Sequence, residues 1–189
     1  MVRIGQPPQG RGAQRGPDRR AARPAASEEG GVSVEVRLDP LTADTDHEAL
    51  TALFAEGLDD PEQARQVAEQ TLALLRGDPR PDPWVSYVAR DEGQVVGVCS
   101  FKAGLDESGA VEIAYFTFPR FERRGFATAM AAALLVTAQG GGARLVRAHT
   151  LPEINASTMA LARNEFTLIG EIADPDDGLI WRWERPIGA

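Results

Sequence analysis

The chain has one cysteine, Cys99, which excludes an intramolecular disulfide and leaves a thiolate metal site short of ligands. Cys99 lies inside Gln-Val-Val-Gly-Val-Cys-Ser-Phe and reads as a buried strand thiol. Lysine is as scarce: Lys102 stands alone among arginines, a bias that reads as genomic and carries no functional weight at this level. No apolar run approaches the roughly 18 residues that span a bilayer, and no apolar signal core follows Met1. A soluble, cytoplasmic protein with no membrane partner is therefore expected. Internal repeats are absent.

The 189 residues suit one domain with a real core. The formal charge of −8 is unevenly spread. Residues 1–25 carry six arginines against Asp18, a net +5, leaving 14 basic and 27 acidic side chains, or −13, for the rest. So acidic a body argues against nucleic acid as a partner and favours a cationic small molecule or basic peptide. Residues 1–31, rich in Gly, Pro and Arg without apolar periodicity, read as a disordered basic tail, and 32–186 as a single domain.

From Val32 to Leu38 the apolar alternation predicts a strand. Asp46 can cap a helix from about His47 to Gly57, and Asp59 or Asp60 with Pro61 a second one ending near Gly77. Strands are expected over Trp84 to Ala89, Gln94 to Lys102 and Ala110 to Phe118, joined as an antiparallel meander by Asp/Gly turns. A helix should then run to about Gln139 and end at Gly140 to Gly142. A short strand over Leu145 to His149 follows, reached by a crossover and so parallel to the strand before that helix. A helix from Asn155 to Arg163 and strands over Phe166 to Ile172 and Leu179 to Trp183 complete the chain. The sum is an α+β fold: a mixed, mostly antiparallel sheet of six to seven strands, helices on both faces and one parallel βαβ pair.

Pro-Arg-Phe-Glu-Arg-Arg-Gly-Phe-Ala-Thr-Ala-Met, from Pro119 to Met130, wedges a polar glycine turn between a strand and an alanine-rich helix. The amides of Arg123, Arg124, Gly125, Phe126 and Ala127 would fall in the first helical turn, where N–H groups lack intrahelical partners and the helix dipole is positive. Such a turn suits a phosphate-bearing cofactor. It lacks the Gly-Lys-Ser/Thr ending of a P-loop and the further glycines of a dinucleotide fingerprint, so nucleotide binding is the poorer reading.

Val111-Glu112-Ile113-Ala114-Tyr115, Phe121-Glu122-Arg123-Arg124-Gly125-Phe126-Ala127-Thr128, Ala148-His149-Thr150-Leu151-Pro152-Glu153, Ala156-Ser157 and Gly178-Leu179-Ile180-Trp181-Arg182-Trp183 occur in that order. Together they resemble the GNAT superfamily of acyl-CoA-dependent N-acetyltransferases, especially the branch of ribosomal-protein alanine acetyltransferases, over about Val34 to Trp183. The resemblance implies a GNAT-like fold and acetyl-CoA as co-substrate. It puts the pyrophosphate on the amides of Arg123, Arg124, Gly125, Phe126, Ala127 and Thr128 and the pantetheine arm along Phe116, Thr117 and Phe118, with Asn155 and Ser157 facing the cofactor. A homodimer is a habit of that family. Ile154 stands where an Asn is common, Leu161 where a tyrosine acid often stands, and Glu165 where a glycine precedes the phenylalanine. These departures motivate an alternative, a non-catalytic acyl-CoA-binding module.

For the enzyme, the implied reaction is direct attack of a primary amine on the thioester, with no metal. An amine of pKa about 10.4 is free to the extent of roughly a thousandth at pH 7, a deficit of roughly 4–5 kcal/mol, so a base must take its proton. Glu112 is the first candidate, acting through a water from the strand face it shares with Ala114, Phe116 and Phe118. His149, at the end of the next strand, is the weaker one. Tyr87 and Tyr115 read as core, and Trp84, Trp181 and Trp183 as apolar anchors.

Overall fold

Asp46 and Asp60 open the two N-terminal helices as the sequence suggests. The Asp46 carboxylate accepts the Ala49 amide at 2.8 Å and begins α1 (His47–Ala55). Asp60 accepts from Glu62 at 2.9 Å and begins α2 (Pro61–Gly77). Ala64, Val67, Ala68, Thr71, Leu72 and Leu75 form the buried stripe of α2 at helical spacing. The computed structural model describes residues 34–175 and 178–188. The basic tail over 1–31 and the start of the leading strand lie outside them.

The remaining elements are β1 (Arg37–Pro40), β2 (Ser86–Asp91), β3 (Gln94–Phe101), β4 (Ala110–Thr117), α3 (Phe126–Gly140), β5 (Leu145–Thr150), α4 (Ala156–Arg163), β6 (Thr167–Asp174) and β7 (Gly178–Pro186). A 3-10 turn, Pro119–Phe121, leads into α3. The seven strands form one sheet in the order β1-β2-β3-β4-β5-β7-β6, antiparallel except for the β4–β5 pair.

The first strand is the main departure from the alternation pattern. Pairing begins at Arg37, opposite Arg90, and ends with Pro40 opposite Tyr87. Alternation reports which side chains share a face, whereas the partner strand decides where hydrogen bonding starts. β2 extends to Asp91 because the turn that follows is tight, with Glu92 and Gly93 both left-handed at φ 46° and 89°.

β3 and β4 press together at Gly97, where a Cβ would stand 2.3 Å from the Phe116 carbonyl oxygen and 3.2 Å from Met130 Cε. The same contact shows which face of the sheet α3 covers. Ile113, Tyr115 and Thr117 point toward α3 and α4, and the Tyr115 hydroxyl donates to the Ser157 carbonyl at 3.1 Å. Glu112, Phe116 and Phe118 point the other way, where Phe118 meets Phe54 of α1 edge-on at 5.4 Å. Cys99 is 1 % exposed, and burial raises its thiol well above the usual range. It is a core side chain.

Glu165, where the family resemblance anticipates glycine, holds a left-handed φ of 60° just past α4. Its carboxylate reaches Arg185 at 3.1 Å but is 80 % exposed, so the pair contributes little. The strain of a left-handed non-glycine residue is about 1–2 kcal/mol. Glu165→Gly should therefore stabilise the protein, by about 0.5–1 kcal/mol after the greater unfolded-state entropy of glycine is offset, as read by urea unfolding.

Candidate functional site

β4 and β5 pair in parallel only from Ala110 opposite Leu145 to Ile113 opposite Ala148. Beyond Ile113, β4 keeps β3 on one side, down to Gly97 opposite Thr117, and loses its neighbour on the other. The Lys102 amide donates to Glu112 O at 2.8 Å and the Phe118 amide to Val96 O at 3.0 Å, so even-numbered residues turn their peptide groups toward β3. Tyr115 and Thr117 consequently turn theirs into the gap, where an extended ligand can pair with them as an added strand would. Of the three residues expected to hold a pantetheine arm, Thr117 offers its backbone in this way. Phe116 lines the cleft, and Phe118 is fully buried in the core.

On the α3 and α4 side this gap widens into a cleft of about 540 Å³. Tyr115, Phe116 and Thr117 form its floor, the turn from Phe121 to Thr128 one wall, and Ala156, Ser157, Met159, Ala160 and Arg163 of α4 the other. Gly125 is the N-cap of α3, left-handed at φ 90°, and provides no side-chain cap. Arg123 is left-handed too, at φ 61°. Among the described residues, the amides of 123–128 donate to no backbone or side-chain acceptor, whereas the next amide, Ala129, closes onto Gly125 O at 3.0 Å. A row of unpaired N–H groups at a dipole's positive end is an anion seat. Thr117 Oγ1, buried on the cleft floor with no partner, is a second polar group that a ligand would satisfy.

The site residues inferred from sequence divide into two groups. Arg123, Gly125, Phe126, Ala127, Thr128, Phe116, Thr117 and Ser157 all line the cleft. Arg124 instead lays its guanidinium over the rings of Phe121 and Phe126, at 5.5 and 5.2 Å, bracing the turn from behind. The Asn155 side chain is committed to α4, accepting the Ser157 and Thr158 amides at 2.9 and 3.1 Å in a capping box. Leu161 is fully buried. Arg163, Met159 and Tyr115 were not anticipated as lining. Arg163 falls four residues after Met159 on the helix that carries Ser157, and that spacing was the available signal. Burial pushes the Tyr115 phenol far above its usual range, and its proton is held by Ser157, so Tyr115 serves as a wall.

Asn164 ties the two cleft walls together. It is 7 % exposed, and its Nδ2 donates to Thr128 O in the first turn of α3 at 3.0 Å and to Ala160 O of α4 at 2.9 Å. Asn164→Ala should cost about 1–3 kcal/mol of stability, because it strands buried carbonyls. Denaturant unfolding measures the loss, and cofactor affinity should fall with it.

Glu112 and His149 meet on the opposite face of the sheet, where β4 and β5 part. His149 Nδ1 lies 3.1 Å from Glu112 Oε1, and Lys102 Nζ lies 3.0 Å from the same oxygen. Burial alone would raise the Glu112 carboxyl. The hydrogen bond from His149 and the charge of Lys102 outweigh it and hold the group below the usual carboxylate range. His149 Nε2 is buried and without a partner. The pair sits within a belt of charge on this face: Arg147 reaches Asp106 at 2.6 Å and Glu184 at 3.2 Å, and Arg182 also pairs with Glu184. No group of three or more His, Cys, Asp or Glu side chains suited to a metal occurs among the described residues, and no helix among them is long and apolar enough to cross a membrane.

Comparison with known proteins agrees with this geometry. A family model described as Acetyltransferase (GNAT) domain matches residues 35–167. Solved structures with the same fold include RimL, a ribosomal L7/L12 alpha-N-protein acetyltransferase in complex with coenzyme A, at 21 % identity and TM-score 0.61, covering 82 % of this chain and 96 % of that one. A Salmonella typhimurium acetyl transferase that modifies the N-terminal serine of L7/L12 aligns at 20 % identity and TM-score 0.61, over 82 % and 97 %. The microcin C7 self-immunity acetyltransferase MccE, in complex with acetyl-CoA and AMP, aligns at 16 % identity and TM-score 0.60, over 83 % and 96 %. No curated protein sequence matches. A sheet splayed after its one parallel pair, an anion seat at the head of α3 and a family match over most of the chain lead to one conclusion: the protein belongs to the GNAT acetyltransferase family, with acetyl-CoA as its acetyl donor.

Proposed function

We propose that the protein transfers the acetyl group to a primary amine of a small molecule or peptide, by direct attack, and that the amine arrives as a cation. The observation that carries this reading is the opposition of two half-sites across the β4–β5 gap. An anion-binding cleft lies on the α3 and α4 face, and a carboxylate–imidazole pair lies on the other. Acetyl-CoA supplies the activated acyl carbon as a thioester.

The chain's own residues do the rest. The amides of 123–128 bind the cofactor's phosphates, each charge-assisted hydrogen bond being worth roughly 1.5–3 kcal/mol, with Arg123 and Arg163 adding positive charge. The peptide groups of Tyr115 and Thr117 align the pantetheine arm with the gap. Ser157 and Met159 close the opposite wall. On the acceptor face, Glu112 and His149 act as one unit that receives the proton the ammonium must lose before attack. The acidic body draws a cation toward this face. A cytoplasmic setting and a homodimer are compatible with this reading.

A panel of polyamines, aminoglycosides, amino acids and peptides with free N-termini, assayed with acetyl-CoA for amine-dependent thiol release and for acetylated product by mass, tests it. At least one amine should give stoichiometric release and product. Tight cofactor binding with no turnover on any amine would instead support the non-catalytic binding module, a reading favoured by the complete burial of Leu161 where a proton donor is often found.

A further inference from the structure

The chain's only lysine directly follows β3, its amide bonded to Glu112 O, with its ammonium 3.0 Å from Glu112 Oε1 and its side chain 40 % exposed. The same oxygen lies 3.1 Å from His149 Nδ1. We infer that Lys102 is a positioning residue for proton transfer: its ammonium pins Glu112 as a carboxylate, and the carboxylate fixes His149 with Nδ1–H toward Glu112 and Nε2 as the atom that accepts the amine's proton. This inference rests on the amine acetyltransferase reading above.

A carboxylate only accepts hydrogen bonds, so both groups that meet Oε1 must donate to it. The proton on Nδ1 leaves Nε2 of a neutral ring as a bare lone pair. Nε2 is also the atom found buried without a partner on the acceptor face. The remaining charges around the pair are otherwise engaged. Arg147, beside Glu112 in the β4–β5 register, spends its guanidinium on Asp106 and Glu184. Arg182, opposite His149 on β7, pairs with Glu184. Among the described residues, Lys102 is the cation whose charge falls on Glu112. Glu112 then orients the ring, and His149 Nε2 takes the proton that the acceptor nitrogen loses, becoming imidazolium beside the Glu112 carboxylate. The lone pair freed on that nitrogen is the one that attacks.

Both donors lie about 3 Å from one oxygen, so the ammonium and the imidazole are no more than about 6 Å apart. A cation at that distance opposes a second proton on the pair. Without it the pair holds its proton more tightly, and proton acceptance requires the proton-free form. Removing the charge should therefore move the acid limb of kcat/KM to higher pH, by about one unit, or tenfold in proton affinity.

The test compares Lys102→Met, and Lys102→Gln as a second neutral variant, with Lys102→Arg in the full chain. Two readouts are taken: the pH dependence of kcat/KM, and a titration of the His149 ring followed by nitrogen-15 NMR, with His47→Gln to assign the two histidines. Both neutral variants should shift the limb and the ring titration upward together, and Lys102→Arg should restore the wild-type position. An unchanged ring titration in the neutral variants, or an arginine variant that shifts as far as they do, would overturn the inference. A wild-type protein that acetylates no amine would overturn the function itself, while the ring titration still decides the role of Lys102.

Discussion

Gly125→Glu should abolish measurable acetyl-CoA binding while leaving the protein folded. A Cβ at position 125 meets only Val34 Cγ2, at 3.7 Å, so the protein has room for the side chain. The left-handed φ of 90° imposes about 1–2 kcal/mol of strain on any residue with a Cβ, which a domain of this size tolerates. The ligand does not escape as lightly. A carboxylate at the N-cap of α3 would occupy the dipole's positive end, accept the amides that the cofactor phosphates would use, and repel them. Losing two charge-assisted hydrogen bonds removes roughly 3–6 kcal/mol, at least a hundredfold in Kd. Calorimetric titration measures the loss, and Gly125→Ala, which carries the strain without the charge, should lose about tenfold or less. Unchanged affinity in Gly125→Glu would remove the turn from the cofactor site.

Glu112→Gln should reduce kcat/KM for a primary amine by about a hundredfold or more at neutral pH, the usual scale of a lost proton-transfer partner. The loss should shrink as pH approaches the amine's own value near 10, where the acceptor deprotonates unaided. Because Glu112 is held below the usual carboxylate range, it is already ionised throughout the neutral region. A carboxylate limb near pH 5 or above is therefore not expected in the wild type. The glutamine variant keeps the size of the side chain and loses the charge that orients His149, so a deficit that is constant with pH would argue that Glu112 is structural. Circular dichroism of the variant separates that outcome from misfolding.

The turn that forms one wall of the candidate cleft is legible in the sequence because it is made largely of backbone. A left-handed glycine, small residues after it and a strand before it determine where amides point, and those features are local. Thr117 and Ser157 came from the family resemblance, and both line the cleft. Roles that depend on side-chain direction were not readable. Arg124 reads in sequence as fixed charge for a phosphate, but its guanidinium lies over the rings of Phe121 and Phe126, five residues apart. Asn155 looked displaced from a ligand position and is instead the cap that starts α4. Phe118 keeps the alternation of β4, which packs its ring beside Phe54 and spends its amide on Val96, so it offers nothing to a ligand in the gap.

Glu112 lies on β4, His149 on β5 and Lys102 just past the end of β3, and only the pairing of these strands brings the ammonium and the imidazole onto one Glu112 oxygen. Lys102 was legible as a rarity without a role, because composition carries no information about a pairing that spans ten residues on one side and nearly forty on the other. The sheet itself was largely foreseen. The leading strand was misplaced because its hydrogen bonds are set by β2, a partner some fifty residues away, and alternation alone cannot choose between such registers.

Cofactor and acceptor should occupy opposite faces of the sheet and meet where β4 and β5 part. Backbone amide NMR of the full chain tests it most directly, with coenzyme A added first and an accepted amine second. Coenzyme A should shift the amides of Tyr115 to Thr117, Arg123 to Thr128 and Ser157 to Arg163, and the amine should then shift Lys102, Glu112 and His149. Coenzyme A responses centred away from the α3 turn, or an amine that perturbs the α3 and α4 face instead, would contradict it.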